Sequence, residues 1–218
     1  MSGAKLIYFN GRGRAEIIRL VLGYLEIEYE EEYLTEKSQI EKLRADGKLL
    51  FQQVPVLEID GRIWCQGGAI VRYLARKGRI YGNNDLDASR IDELYDGSRD
   101  FWIAFAAIGF QDEAQALQTS LISKTMPRYL PIFNKILEDN GSGYLYGKSV
   151  TLADLGLLEA LLMVHEYFGT SSMEAFPAVQ KFYNLMTEDS KIAAFLKSPH
   201  RKGKNDDVYV STVMKVLT

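Results

Sequence analysis

In Val54-Pro55-Val56-Leu57-Glu58-Ile59-Asp60-Gly61-Arg62-Ile63-Trp64-Cys65-Gln66-Gly67-Gly68, two short apolar runs flank an Asp-Gly pair. That pair suits a two-residue hairpin turn, so Val54–Ile59 and Arg62–Cys65 are expected to pair antiparallel. Pro55 has no N–H to give a ladder and belongs at a strand start. Gly67-Gly68 then precedes Ala69, Ile70, Tyr73 and Leu74, whose spacing is helical.

Upstream, Lys5–Phe9 is strand-like and runs into the turn residues Asn10-Gly11-Arg12-Gly13. Ala15, Ile18, Val21, Leu22 and Leu25 repeat at helical spacing. Glu28–Leu34 is expected to be a charged, edge-like strand, and its acids a solvated edge rather than a metal site. Glu36–Asp46 is a polar helix with Ile40 and Leu43 facing inward. The order is βαβαββα. A parallel crossover first and a hairpin later imply a mixed four-stranded sheet.

Downstream the strand signal fades. Gly82-Asn83-Asn84-Asp85 marks a linker at about residues 79–87, which divides the chain into domains 1–80 and 81–218. Helical patterns cover Ile91–Leu117, Met126–Leu137, Leu152–Phe168, Val179–Met186 and Ile192–Leu196. Thr151-Leu152-Ala153-Asp154 is an N-cap with an acid three residues later. Pro127 and Pro131 constrain or kink their helix. Asp206-Asp207 opens a last amphipathic helix through Val208, Val213, Val216 and Leu217. The fold class is α/β plus all-α.

Composition narrows the function. The 218 residues are 47% hydrophobic, enough apolar material for a core and too much for a disordered chain. A formal charge of -3 suits neither nucleic acid nor an anionic membrane, which want a basic face. One cysteine, Cys65, excludes an internal disulfide, and with only His165 and His200 a zinc site is not expected. No membrane span and no secretory signal are expected, which points to the cytoplasm.

Tyr8 ends the first strand before a glycine turn and a helix, where α/β units bind ligands. On position alone it either faces a ligand or fills the strand end. Gly11-x-Gly13 lacks a third glycine, since Glu16 stands there, and is not a dinucleotide fingerprint. The N–H groups after Gln66 can hold a carboxylate, as at any helix start. His165 lies in an apolar helix and reads as structural. His200 lies in a polar segment and reads as solvated. Cys65 reads as a small hydrophobe rather than a reactive thiol.

Tyr8-Phe9-Asn10-Gly11-Arg12-Gly13-Arg14, the run Phe51–Gly61, and Gln66 followed by Ala69-Ile70 resemble the cytosolic glutathione S-transferases, the alpha class first and the sigma class second. The resemblance extends through Ser149–Leu155 to Ser198–Lys202. It implies a thioredoxin-like N-terminal domain, an all-helical C-terminal domain, a homodimer, and glutathione as co-substrate without a metal. The implied reaction is conjugation of the glutathione thiolate to hydrophobic electrophiles.

A free thiol, with a pKa near about 8.5, carries little thiolate at neutral pH. In the family's scheme Tyr8 would stabilise the sulfur anion by a hydrogen bond, with Arg14 adding charge or orienting that bond. The resemblance also assigns Val54, before a cis Pro55, to the cysteinyl backbone. It assigns Gln53, Gln66 and Gly67 to the peptide's polar groups, and Arg44 to the glycyl carboxylate. Asp100 and Arg128 would reach the partner subunit's glutathione, and Phe51 would insert into the neighbour. Phe9, Gly11, Ala107, Phe110 and Val216 would line the electrophile pocket.

Two positions depart from the pattern. The family usually carries a hydroxyl residue after Gln66 and often an arginine next; here both are glycine. Gly67 offers no hydroxyl to the γ-glutamyl carboxylate, a loss of about 1.5–3 kcal/mol. Weak glutathione binding is the expectation. Two other readings accompany the transferase: a sigma-like isomerase or peroxidase using glutathione, and a non-catalytic ligand-binding or structural protein on the same fold.

Overall fold

The computed structural model describes residues 3–108, 110 and 118–218. The chain forms two compact units, one of Met1–Leu74 with Ala194–Thr218 and one of Ala75–Ala193.

The first unit is built on a sheet of order β2-β1-β3-β4. Strand β1 (Ala4–Tyr8) lies parallel to β2 (Tyr29–Tyr33) and antiparallel to β3 (Val56–Ile59), which pairs antiparallel with β4 (Arg62–Cys65). The Asp60-Gly61 turn has positive φ at both residues, 53° and 72°, as the hairpin requires. Helices α1 (Glu16–Tyr24), α2 (Lys37–Ala45) and α3 (Gly67–Lys77) complete the βαβαββα order. This is the mixed sheet read from the sequence, in the thioredoxin-like form that the resemblance implies.

Register fixes what gathers at one end of the sheet. Ile7 pairs with Val56, and Val56 with Cys65. One residue further along, Tyr8, Pro55 and Gln66 therefore lie at the same end of the sheet. The Val54–Pro55 peptide bond is cis.

The last helix, numbered α9 below, returns to this unit. It spans Asp207–Leu217, is capped by Asp206 Oδ1 accepting from Tyr209 N–H at 2.7 Å, and packs on α2. Lys215 pairs with Glu36 at 2.5 Å, and Lys37 Nζ donates to the Thr218 carbonyl at 2.9 Å.

In the second unit, α4 (Asp85–Ala106) starts at an Asn84 cap. The helical pattern therefore begins six residues before Ile91, and its end at residues 111–117 lies outside the described residues. A π-turn, Leu121–Thr125, leads into α5 (Met126–Asn140), which continues through Pro131. Helix α6 (Leu152–Phe168) is buried all round from Leu152 to Val164, as a central core helix must be. Its approach to α4 requires Gly156, where a Cβ would stand 2.6 Å from Ser98 Oγ. Arg99 of α4 pairs with the buried Glu159 of α6.

The start of α6 is fixed by Asp154. Its carboxyl accepts from Leu145 N–H, Thr151 N–H and the Thr151 hydroxyl, each at 2.7 Å. Burial pushes this carboxyl up to about 6, against those hydrogen bonds, which pull it down. Helix α7 (Pro177–Glu188) follows, and α8 (Ser190–Lys197) runs across the boundary between the units.

Candidate active site

Tyr8 sits at the carboxyl end of β1, 7% exposed. The turn after it is closed by Gly11 N–H donating to the Phe9 carbonyl at 2.9 Å. Gly13 takes φ +41°, and a Cβ there would overlap the Tyr8 hydroxyl. That close approach lets Arg14 N–H donate to Tyr8 Oη at 3.0 Å. A phenol that accepts this bond still has its own proton to donate. It is the backbone of Arg14 that meets Tyr8, while its side chain is exposed.

The turn is held by an ion network within this unit. Arg19, fully buried on α1, donates through Nη1 to the Gly11 carbonyl at 2.8 Å and through Nη2 to the Phe9 carbonyl at 3.2 Å. It pairs with Glu31 at 2.8 Å and Glu16 at 3.1 Å. The tail covers the same acids. His200 Nδ1 lies 2.9 Å from Glu31, and Arg201 pairs with Glu16 at 2.9 Å. Lys202 N–H donates to Glu16 at 3.1 Å, and the Lys202 carbonyl accepts from Arg12 Nη2 at 3.2 Å.

Two sequence expectations are corrected here. The acids of β2 are not a uniformly solvated edge: Glu28 and Glu30 are exposed, but the Glu31 side chain is 3% exposed. His200 is not free in solvent, since it faces Glu31 and packs tilted against Tyr29 with ring centroids 4.4 Å apart. Burial would raise the Glu31 carboxyl, but Arg19, His200 and Lys202 together hold it below its ordinary value.

Sequence reasoning also missed Tyr209. From α9 its ring lies over Gly11, where a Cβ would overlap it, and its hydroxyl meets that of Tyr8. Tyr209 is 5% exposed, and burial, with Tyr8 beside it, pushes its phenol up. The periodicity placed the helix, but nothing in it marked this tyrosine.

The other predicted residues fall as follows. In the first unit Phe9 and Val216 are buried, and Gly11 lies beneath Tyr209, so these three are covered in this structure. Phe9 packs edge-on against Tyr8 at 5.3 Å. Val54 and Pro55 precede β3, and Gln53 is exposed beside them. Arg44 Nη2 donates to the Gln52 carbonyl at 3.3 Å. Gln66 has φ +68° and its carbonyl accepts the Ile70 N–H at 3.0 Å, which starts α3. A Cβ on Gly67 would meet only the Arg14 carbonyl, at 3.6 Å, so a side chain fits there. Phe51 is 57% exposed next to Leu50 at 75%. In the second unit Asp100 and Arg128 are exposed on α4 and α5, Ala107 caps α4, and Phe110 N–H donates to the Ala107 carbonyl at 3.0 Å.

Cys65 is partly buried, with Sγ 3.4 Å from the Lys48 carbonyl. Among the described residues, no group of three or more His, Cys, Asp or Glu side chains could hold a metal ion. Among the same residues, no helix is long and apolar enough to cross a membrane.

Comparison with known proteins agrees with this geometry. Residues 4–76 match the family model described as glutathione S-transferase, N-terminal domain, and residues 99–199 match that of the C-terminal domain. Glutathione S-transferase A4 of Mus musculus is 41% identical over 98% of this chain and 97% of its own length. Glutathione S-transferase 3 of Gallus gallus is 38% identical over 97% of this chain and 93% of its own length. Among solved structures, a Nu-class enzyme from Haemonchus contortus superposes with a TM-score of 0.78 at 32% identity, covering 94% of this chain and all of that one. Prostaglandin synthase D of Nilaparvata lugens gives 0.75 at 27% identity, covering 91% of this chain and 98% of that one.

Proposed function

Since this chain belongs to the glutathione S-transferase family, with alpha-class enzymes among its curated relatives, we propose that it conjugates glutathione to hydrophobic electrophiles with Tyr8 as the catalytic residue. The observation that carries the assignment is the Arg14 N–H bonded to Tyr8 Oη at 3.0 Å. It orients the hydroxyl so that its proton is given to the glutathione sulfur. A sulfur anion receiving that bond is favoured over the thiol, so its pKa falls. The anion attacks the electrophilic carbon, a C–S bond forms, and the leaving group departs with its electron pair. The thiol proton goes to solvent.

In this reading the backbone of Val54 pairs with the cysteinyl unit of glutathione. Gln53 and Gln66 take its polar groups, Arg44 the glycyl carboxylate, and the Gly67 and Gly68 N–H groups the γ-glutamyl carboxylate. Arg14 adds positive charge. Asp100 and Arg128 serve the partner subunit's glutathione in a homodimer keyed by Phe51, whose exposure supports that role. Phe9, Gly11, Ala107, Phe110 and Val216 border the electrophile once α9 yields. The cytoplasm is the compartment, and 1–80 and 81–218 are the family's two domains.

The test is conjugation of glutathione to 1-chloro-2,4-dinitrobenzene. Removing one such donor to a charged group costs about 1.5–3 kcal/mol. Tyr8→Phe should therefore lower kcat/KM about ten- to hundredfold, with the circular dichroism unchanged. An equally active mutant would remove Tyr8 from the chemistry. A second reading, a glutathione-dependent isomerase, draws on the likeness to the prostaglandin synthase D structure. The higher identity to the transferases favours conjugation.

A further inference from the structure

The two oxygens of the buried Glu31 carboxylate are used differently. Oε2 accepts from Arg19 Nε at 2.8 Å, and Oε1 faces His200 Nδ1 at 2.9 Å. A carboxylate only accepts, so Nδ1 carries the proton of that bond. Lys202 Nζ stands further off, 4.0 Å from Oε1, and donates instead to Tyr33 Oη at 2.9 Å and the Pro199 carbonyl at 3.1 Å. His200 therefore makes the short contact that fixes how the Glu31 carboxylate is turned. Beside them the Tyr29 hydroxyl is buried, with no hydrogen-bond partner among the described residues. Its ring packs against His200, and the charge of Glu31 acts on its phenol.

Arg19 carries the setting of Glu31 to the backbone. Its guanidinium donates to the carbonyls of Phe9 at 3.2 Å, Gly11 at 2.8 Å and Arg12 at 3.3 Å. The same turn then touches the Tyr8 hydroxyl twice. At Gly13 a Cβ would overlap it, and at Arg14 the N–H donates to it at 3.0 Å. A misplacement of about 1 Å at a reacting group can cost about 10²-fold in rate, so a brace on this turn bears on the chemistry.

We propose that His200 is a positioning residue for thiolate formation: its bond to Glu31 holds Arg19 on the turn, and thereby the Tyr8 hydroxyl toward the glutathione sulfur. The inference rests on the Tyr8 reading above. Without His200, the Tyr29 phenol competes with Arg19 for Glu31, and the turn loses its brace. The readout is the pKa of the glutathione thiol bound to the full chain, followed by ultraviolet difference absorbance of the thiolate. Steady-state kcat and KM with 1-chloro-2,4-dinitrobenzene accompany it. The His200 side chain is 36% exposed, so truncating it opens no closed cavity. His200→Ala should raise the thiol pKa by about 0.5, a roughly threefold smaller thiolate fraction, and lower kcat by a similar factor with KM for glutathione within about twofold. His200→Asn places an amide N–H where Nδ1 stands and should return both values to those of the wild type. A thiol pKa unmoved in His200→Ala would overturn the proposal even if the variant melts earlier, since a merely structural tie lowers stability alone. An Asn variant as impaired as the Ala variant would overturn the bond to Glu31 as the cause. Tyr8→Phe, measured in parallel, separates the two readings. A thiol pKa that moves with Tyr8 but not with His200 sinks this inference alone, and one that does not move with Tyr8 sinks both.

Discussion

Glycine 67 separates what a residue does from what its backbone does. A Cβ there would find only the Arg14 carbonyl, at 3.6 Å, so the missing hydroxyl is absent for no steric reason. Gly67→Thr should lower KM for glutathione about tenfold or more, the worth of one hydrogen bond to a charged group, and leave kcat little changed. Steady-state kinetics with glutathione as the varied substrate checks this. An unchanged KM would mean that the α3 N–H groups already suffice. Tyr8 and Gly67 were legible in the sequence because each lies in a short motif at the end of an element. Arg19, Glu31 and Tyr209 were not. Their partners are distant along the chain, and a charge within an apolar helix carries no sign of what will neutralise it.

The elements themselves were mostly legible, and the reasons are local. Asp60-Gly61 has one good turn to adopt, and Leu152–Phe168 pairs a capping box with an unbroken apolar run. Boundaries slipped where tertiary packing extends a helix past its periodicity, as at α4, which starts at Asp85. Asp154 shows how much rests on one cap. Asp154→Ala strands three donors, one in the loop before α6 and two on the cap residue Thr151. It should lower stability by about 2–3 kcal/mol, measured by urea unfolding. The same carboxyl sets a pH dependence. Raised from 3.8 to about 6 in the folded chain, it favours folding most below pH 3.8. That contribution is lost as pH rises through about 6. The Asp154→Ala variant should lack this slope between pH 4 and 6.

Glu31 titrates in the opposite sense and acts on the molecule as a whole. Its folded value lies below 4.5, so its stabilisation is fully present above pH 4.5 and is lost as pH falls through the lowered value. Acidification from pH 6 to pH 3 should release the tail at His200–Lys202 before the sheet unfolds. Hydrogen exchange of α9 would detect this, and Glu31→Gln should show the faster exchange already at pH 6. Assembly is a second property at this scale. Phe51→Asp puts a charge where an exposed aromatic side chain is proposed to enter its neighbour, and the variant should elute as a monomer from a sizing column. A dimer that survives it would free Phe51 of that role.

The closing of the tail over Glu16 and Glu31 also fixes an order of events during synthesis. Arg201 is made 185 residues after Glu16, and His200 169 residues after Glu31. At translation rates of about 5–20 residues per second, that interval is roughly 10–40 s. Until it has passed, the nascent sheet carries two acids bound only to Arg19, and Gly11 lacks its tyrosine cover. The unit that is begun first is therefore finished last, after every residue of the helical unit has been added.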